Sequence, residues 1–166
     1  MRKPQLIDEN LLNRVAQESL ATPRLRKNFN FSKHQDTVQR FLNVMQPGTY
    51  FPPHKHMGED AFELFVVLKG AVGLLLIDES GKVTEALELR AGGNKSGAEI
   101  PSGCVHTLVC LEPNSVLLEV KEGPFDPSKA KYLAPGFPNE EEVFLNQNSS
   151  KSLADRFVKS WESYFV

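Results

Sequence analysis

This chain has little cysteine, no long apolar run and almost no net charge, and each shortage closes off a class of function. Cys104 and Cys110 are its only cysteines. Two thiols cannot build the disulfide framework of a small secreted domain, so a reducing, cytoplasmic setting is the expectation. The longest apolar stretches, 62–68 and 71–77, are separated by Lys69 and Gly70, and neither approaches the length of a bilayer span. No apolar segment follows Met1, Arg2, Lys3 and Pro4, because Asp8, Glu9 and Asn10 interrupt any leader-like core. Nineteen Lys and Arg against 21 Asp and Glu leave a net charge of −2, which supplies no electrostatic footing for nucleic acid or an anionic membrane. The densest basic cluster, Arg24, Arg26 and Lys27, is short.

What the chain does have is an ordinary globular composition, 40% hydrophobic and 24% charged over 166 residues, which predicts a single domain over 1–166. A helix is expected over 8–21. Asp8 can cap it, Leu11, Leu12, Val15 and Ala16 follow helical spacing, and Thr22 and Pro23 stop it. A polar segment without a period follows, 24–36. Strand-like sequence then dominates 38–121, the expected core. It includes a hairpin of 72–77 with 83–89 about the turn at Asp78 and Gly81. Many short strands with Gly and Pro turns predict an antiparallel sandwich or barrel. The unbroken apolar run 62–68 predicts a strand covered on both faces. Residues 123–138 carry Pro124, Pro127, Pro135 and Pro138 and read as an ordered arm anchored by Phe125, Tyr132, Leu133 and Phe137. A loop or linker is expected at 146–150. A terminal helix is expected over 151–165, with Leu153, Phe157 and Trp161 on the stripe that packs on the barrel or on a subunit partner.

Three of the four histidines fall into one pattern with a glutamate. His54 and His56, one residue apart, project from the same face of an extended strand and can share an ion. Glu63 stands among Phe62, Leu64 and Phe65, where an unpaired carboxylate would be strongly disfavoured or would shift its pKa; a bound cation removes that penalty. His106, between Val105 and Leu108, follows the same logic. Neutral imidazole and carboxylate are ligands of first-row divalent metals, so His54, His56, Glu63 and His106 predict one divalent ion: iron, manganese, nickel, zinc or copper. Four protein ligands in an octahedral sphere leave about two positions open for water, a bidentate substrate or dioxygen. Glu59 is a rival carboxylate at shorter spacing, and His34, outside the pattern, is expected to be exposed or hydrogen-bonded. Asn28, Asn30, Arg40 and Asn43 are candidates to hydrogen-bond a ligand rich in hydroxyl or carboxylate groups, or else to satisfy backbone groups. Cys104, beside His106, is a candidate to face the same cavity, whereas Cys110 reads as an apolar filler. Lys69 and Glu119 read as strand-surface charges.

The pattern Gly48-x5-His54-x-His56-x6-Glu63-x6-Gly70 resembles the first cupin motif, and Pro101-x-Gly103-x2-His106 resembles the second. With the segments 23–26, 28–31, 38–43, 63–70 and 123–127, the chain is similar to the WbuC-type cupin-fold metalloproteins over residues 4–138. The resemblance implies an all-β cupin jelly-roll, a double-stranded β-helix barrel with the metal inside, here flanked by an N-terminal and a C-terminal helix. It also implies a homodimer, as many cupins dimerise, and a link to surface-polysaccharide metabolism, since such proteins are often found with those genes. Gly70 at the motif's distance favours Glu63 over Glu59 as the ligand. The spacing from His56 to Glu63 is longer than the commonest cupin pattern, so 57–61 must bulge. Lys95 and Cys110 stand where the second motif usually has glycine and asparagine.

Three functions are therefore expected in competition. The first is metal-assisted chemistry, isomerase- or epimerase-like, on a small oxygen-rich molecule such as a sugar or sugar derivative. The second is a non-catalytic, metal-dependent module that binds or senses a small ligand; it gains weight because no further carboxylate or histidine stands near the motifs to act as general base. The third is an iron-dependent dioxygenase.

Overall fold

The computed structural model describes residues 3–58, 61–127, 131–145 and 149–165. The Asp8 carboxylate accepts a hydrogen bond from the Leu11 amide at 2.9 Å and starts helix α1, Glu9–Leu20. Ten strands follow: β1 Arg26–Asn30, β2 Val38–Met45, β3 His54–Lys55, β4 Glu63–Lys69, β5 Ala71–Ile77, β6 Val83–Arg90, β7 Gly97–Ile100, β8 His106–Cys110, β9 Ser115–Glu122 and β10 Tyr132–Leu133. Helices α2, Glu140–Leu145, and α3, Ser149–Tyr164, complete the described chain.

The strands form two antiparallel sheets of five, in the orders β1-β2-β9-β4-β7 and β10-β3-β8-β5-β6. A core of Met45, Phe65, Val67, Ile100 and Leu117 from the first sheet and Val72, Leu74, Leu89, Leu108 and Cys110 from the second fills the space between them. The expected hairpin is β5 with β6, which pair from Ala71 with Arg90 to Ile77 with Val83. Strands β8 and β9, adjacent in sequence, belong to opposite sheets, so the turn at 112–114 carries the chain from one to the other.

The aperiodic polar segment contains a strand. β1 pairs with β2 from Arg26 opposite Met45 to Asn30 opposite Phe41. Its apolar members, Phe29 and the following Phe31, pack outward beneath α1 with Leu42, Val44 and Val116, while Asn28 and Asn30 face an internal cavity. The usual alternation is inverted there because the inside is polar. The other sheet is covered outside by the C-terminal segment: Val143, Phe157 and Trp161 pack on Leu75, Ile77, Ala86 and Val109, with Leu153 at the margin. On β4, Leu64 and Val66 are half-buried and Leu68 is exposed, so the described residues of this chain do not themselves fully cover the outer face that was expected to meet the N-terminal segment or a second subunit.

Candidate metal centre

The pairing of β3 with β8 sets His54 opposite His106 in one sheet. In the other sheet β4 pairs with β9, which sets Glu63 opposite Lys121. Packing of the two sheets brings the imidazoles onto the carboxylate. Glu63 Oε2 lies 2.9 Å from His56 Nε2 and 3.0 Å from His106 Nε2. One ligand atom from each of His54, His56, Glu63 and His106 lies within 4.8 Å of all the others. Glu59, the rival carboxylate, lies outside the described residues.

Backbone carbonyls orient two of the rings. His54 Nδ1 lies 2.9 Å from the Pro52 carbonyl, and His106 Nδ1 lies 3.0 Å from the Cys104 carbonyl. Each Nδ1 therefore donates to its carbonyl, which turns Nε2 into the site, and in His54 that nitrogen keeps its lone pair. His54 Nε2 and His56 Nε2 are buried with no hydrogen-bond partner. Burial holds the His54 imidazole well below the ordinary histidine value and hence neutral. Burial pushes the Glu63 carboxyl up, but the imidazoles of His106 and His56 set against it and the charge of Lys121 outweigh that and hold the group well below the usual carboxylate range. Neutral nitrogens and an ionised carboxylate are the forms a metal takes. Two ligands at about 2.1 Å from one ion and at right angles to each other stand about 3 Å apart, and the Glu63–His separations match that edge. The donor set fits a divalent ion.

A cavity of about 200 Å³ opens beside this cluster. Asn28, Asn30 and Asn43 line it, as does His34 at the exposed rim, where its ring meets Phe125 with centroids 5.0 Å apart. Arg40 is not brought to the cavity. It alternates with Gln39 and Phe41 on β2, so its guanidinium points outward and pairs with Asp36. The Cys104 thiol does not line the cavity either; that residue acts on the site through its carbonyl. The Cys110 thiol is buried, donates to the Glu112 carbonyl at 3.0 Å, and is pushed up to about 12 by burial, so it stays protonated.

Among the charged residues that line the cavity, Glu119, Lys121 and Arg26 are ones the sequence did not place there. Glu119 is corrected: it is buried inside the molecule, where desolvation pushes its carboxyl up to about 7. Lys121 Nζ lies 2.9 Å from Glu63 Oε1 and 2.8 Å from Glu119 Oε1. Arg26 is buried, stacks over the Phe51 ring at 4.2 Å, donates to the Tyr50 carbonyl at 2.8 Å, and shares Glu140 with Arg24. Burial pulls it down to about 10. The signal for Glu119 and Lys121 was their shared parity with the core residue Leu117 on β9, while Val116 and Leu118 pack outward beneath α1.

Two facing antiparallel sheets with His and Glu side chains converging between them have the fold of the cupins. Residues 7–89, half of the chain, match the family described as "Domain of unknown function (DUF6016)", and the chain belongs to that family. A comparison with curated proteins finds no match. Among solved structures, a mutant of oxalate decarboxylase OxdC from Bacillus subtilis is 16% identical with a TM-score of 0.53, over 78% of this chain and 34% of that one. Oxalate oxidase in complex with the substrate analogue glycolate is 18% identical with a TM-score of 0.51, over 82% of this chain and 74% of that one. CapF with the inhibitor 3-isopropenyl-tropolone is 24% identical with a TM-score of 0.52, over 66% of this chain and 32% of that one. The chain thus spans about a third of the decarboxylase and of CapF, and these likenesses show the fold. Among the described residues no helix is long and apolar enough to cross a membrane.

Proposed function

We propose that this protein is a metal-dependent cupin that binds and transforms a small oxygen-rich molecule, a sugar or sugar derivative. One observation carries the reading: three imidazoles and one carboxylate converge, and buried Nε2 atoms there have no hydrogen-bond partner. His54, His56, Glu63 and His106 would hold a divalent ion, which when bound would polarise a ligand oxygen and acidify the neighbouring C–H or O–H. The chain's own residues do the rest. Asn28, Asn30 and Asn43 orient hydroxyls, and Glu119 stands in the cavity as a carboxylate that is not one of the four ligands. It is the candidate to accept and return a proton, a role for which the sequence alone named no group. The resemblance to WbuC-type proteins supports a place in bacterial surface-polysaccharide metabolism. Glycolate and a tropolone, named with two of the similar structures, both carry paired adjacent oxygens, the chemistry an open-sided ion accepts. We place the protein in the cytoplasm, as a single domain over 1–166 that works as a homodimer.

A second reading, a non-catalytic binding or sensing module, draws on the ion pair that already engages Glu119 with Lys121. Turnover assays with sugar phosphates and nucleotide sugars separate the two, since a module releases its ligand unchanged. Oxygen consumption dependent on ferrous iron would favour dioxygenase chemistry over both. The metal site is tested by elemental analysis of untagged protein. His106→Ala and His56→Ala are expected to lower metal content at least tenfold, and His34→Ala to leave it unchanged. Equal content in all three variants overturns the site.

A further inference from the structure

The cavity beside the histidines is positively charged and incompletely satisfied, and the two properties together specify the charge of its ligand. Four cationic side chains line it, Arg24, Arg26, Lys121 and Lys131, against two carboxylates, Glu63 and Glu119. Three of the cations are engaged. Arg24 and Arg26 share Glu140, and Lys121 lies between Glu63 and Glu119. Lys131 makes no hydrogen bond or ion pair with another described residue. The fold nevertheless places it with care. It directly precedes β10, whose Leu133 pairs with His54 and whose Tyr132 pairs with Lys55, so the ladder that positions a candidate metal ligand also positions Lys131. The residue is exposed at the rim, while its ammonium faces the cavity. Desolvation there and repulsion from Lys121 hold it below the ordinary lysine value, as befits a cation without a counter-ion.

The opposite wall supplies hydrogen bonding. Asn43 Oδ1 is buried with no partner. Asn28 pairs with Asn43 across β1 and β2, and Asn30 follows two residues along the same face. A buried amide oxygen without a donor calls for a donor from the ligand, and a hydroxyl supplies one. The volume of about 200 Å³ equals roughly seven waters of liquid, enough for a monosaccharide or smaller acid; a nucleotide would have to lie outside.

We propose that the ligand is a small hydroxy- or oxo-carboxylate whose carboxylate meets Lys131 and whose hydroxyls meet Asn28, Asn30 and Asn43. The proposal rests on the reading of this cavity as the functional site, but its charge argument does not need the ion.

Titration calorimetry on two matched pairs tests it: D-glucuronate against D-glucose, and glycolate against ethylene glycol. Each pair differs by a carboxylate in place of a primary alcohol. In the full-length protein as purified, each acid is expected to bind at least tenfold more tightly than its alcohol. Lys131→Met should bring each pair to within about threefold at unchanged thermal stability, and Lys33→Met, on the exposed surface, should leave the preference intact. Equal affinity for acid and alcohol, a preference that survives Lys131→Met, or no binding of either acid at millimolar concentration overturns the proposal. Metal content and a chelated sample separate this failure from that of the metal reading. Full metal content without acid preference overturns the anion alone. Acid preference in a protein that holds no metal supports the anion and overturns the metal.

Discussion

Lys121 is where the chemistry of the cavity is concentrated in one side chain. Its ammonium stands between two buried carboxylates, Glu63 and Glu119, and lies 5.3 Å from the Phe41 ring centroid. Removing it would leave two acids facing each other in a poorly solvated space. Lys121→Met is therefore expected to cost the metal-free protein about 3–5 kcal/mol, the range for breaking a buried ion pair from one side. Glu119→Gln, which leaves Lys121 paired with Glu63, should cost about 1 kcal/mol. Urea midpoints of the two variants check this, and equal losses would contradict the bridging role. Glu63 could be read from the sequence because a carboxylate inside an apolar run demands a partner. Glu119 and Lys121 were marked only by their parity with Leu117, a weak signal, since charges alternating with apolar residues near a strand end look the same whether they face water or an internal cavity. Arg40 shows the converse: a cation near the motif on the wrong parity of β2 is carried outward to Asp36.

At the level of elements, the outer faces are occupied by helices at both ends of the chain. α1 covers β2 and β9, and α3 covers the other sheet through Phe157 and Trp161. A glycine on β5 makes the second contact possible. A Cβ on Gly73 would fall 2.6 Å from Trp161 Cε3, closer than packed atoms tolerate, so the bare backbone is what lets the indole lie on the sheet. Gly73→Ala is expected to displace α3 and red-shift the emission of Trp161, the only tryptophan. Metal content should be unchanged, because the histidines lie on the other face of that sheet. An unshifted spectrum would contradict the packing. α1, α3, the β5–β6 hairpin and most strands were legible from caps, periods and turn residues, whereas the short α2 was not. β1 was not, because its polar face points in and its phenylalanines point out, the reverse of the pattern that marks a half-buried strand.

For the whole molecule, an ion held by residues from both sheets ties them together only in the folded state. A metal at a hundred times its dissociation constant adds about 2.7 kcal/mol to stability, and in a protein of this size that raises Tm by about 5–10 °C. Calorimetric scans with added divalent metal and with chelator should differ by that amount in the wild type and coincide in His54→Ala; a metal-induced rise that persists in the variant would place the ion elsewhere. The sequence by itself determined the donors, their spacing on each strand and the β character of the scaffold, because alternation, turn residues and ligand chemistry are all local along the chain. Only the tertiary structure decided which donors meet. His54 reaches His106 through strand pairing, Glu63 reaches His56 and His106 through the packing of one sheet on the other, and Glu119 and Lys121 join them from β9 and Lys131 from the residue before β10. Convergence of that kind depends on the relative placement of elements far apart in sequence, and no window of neighbouring residues contains it.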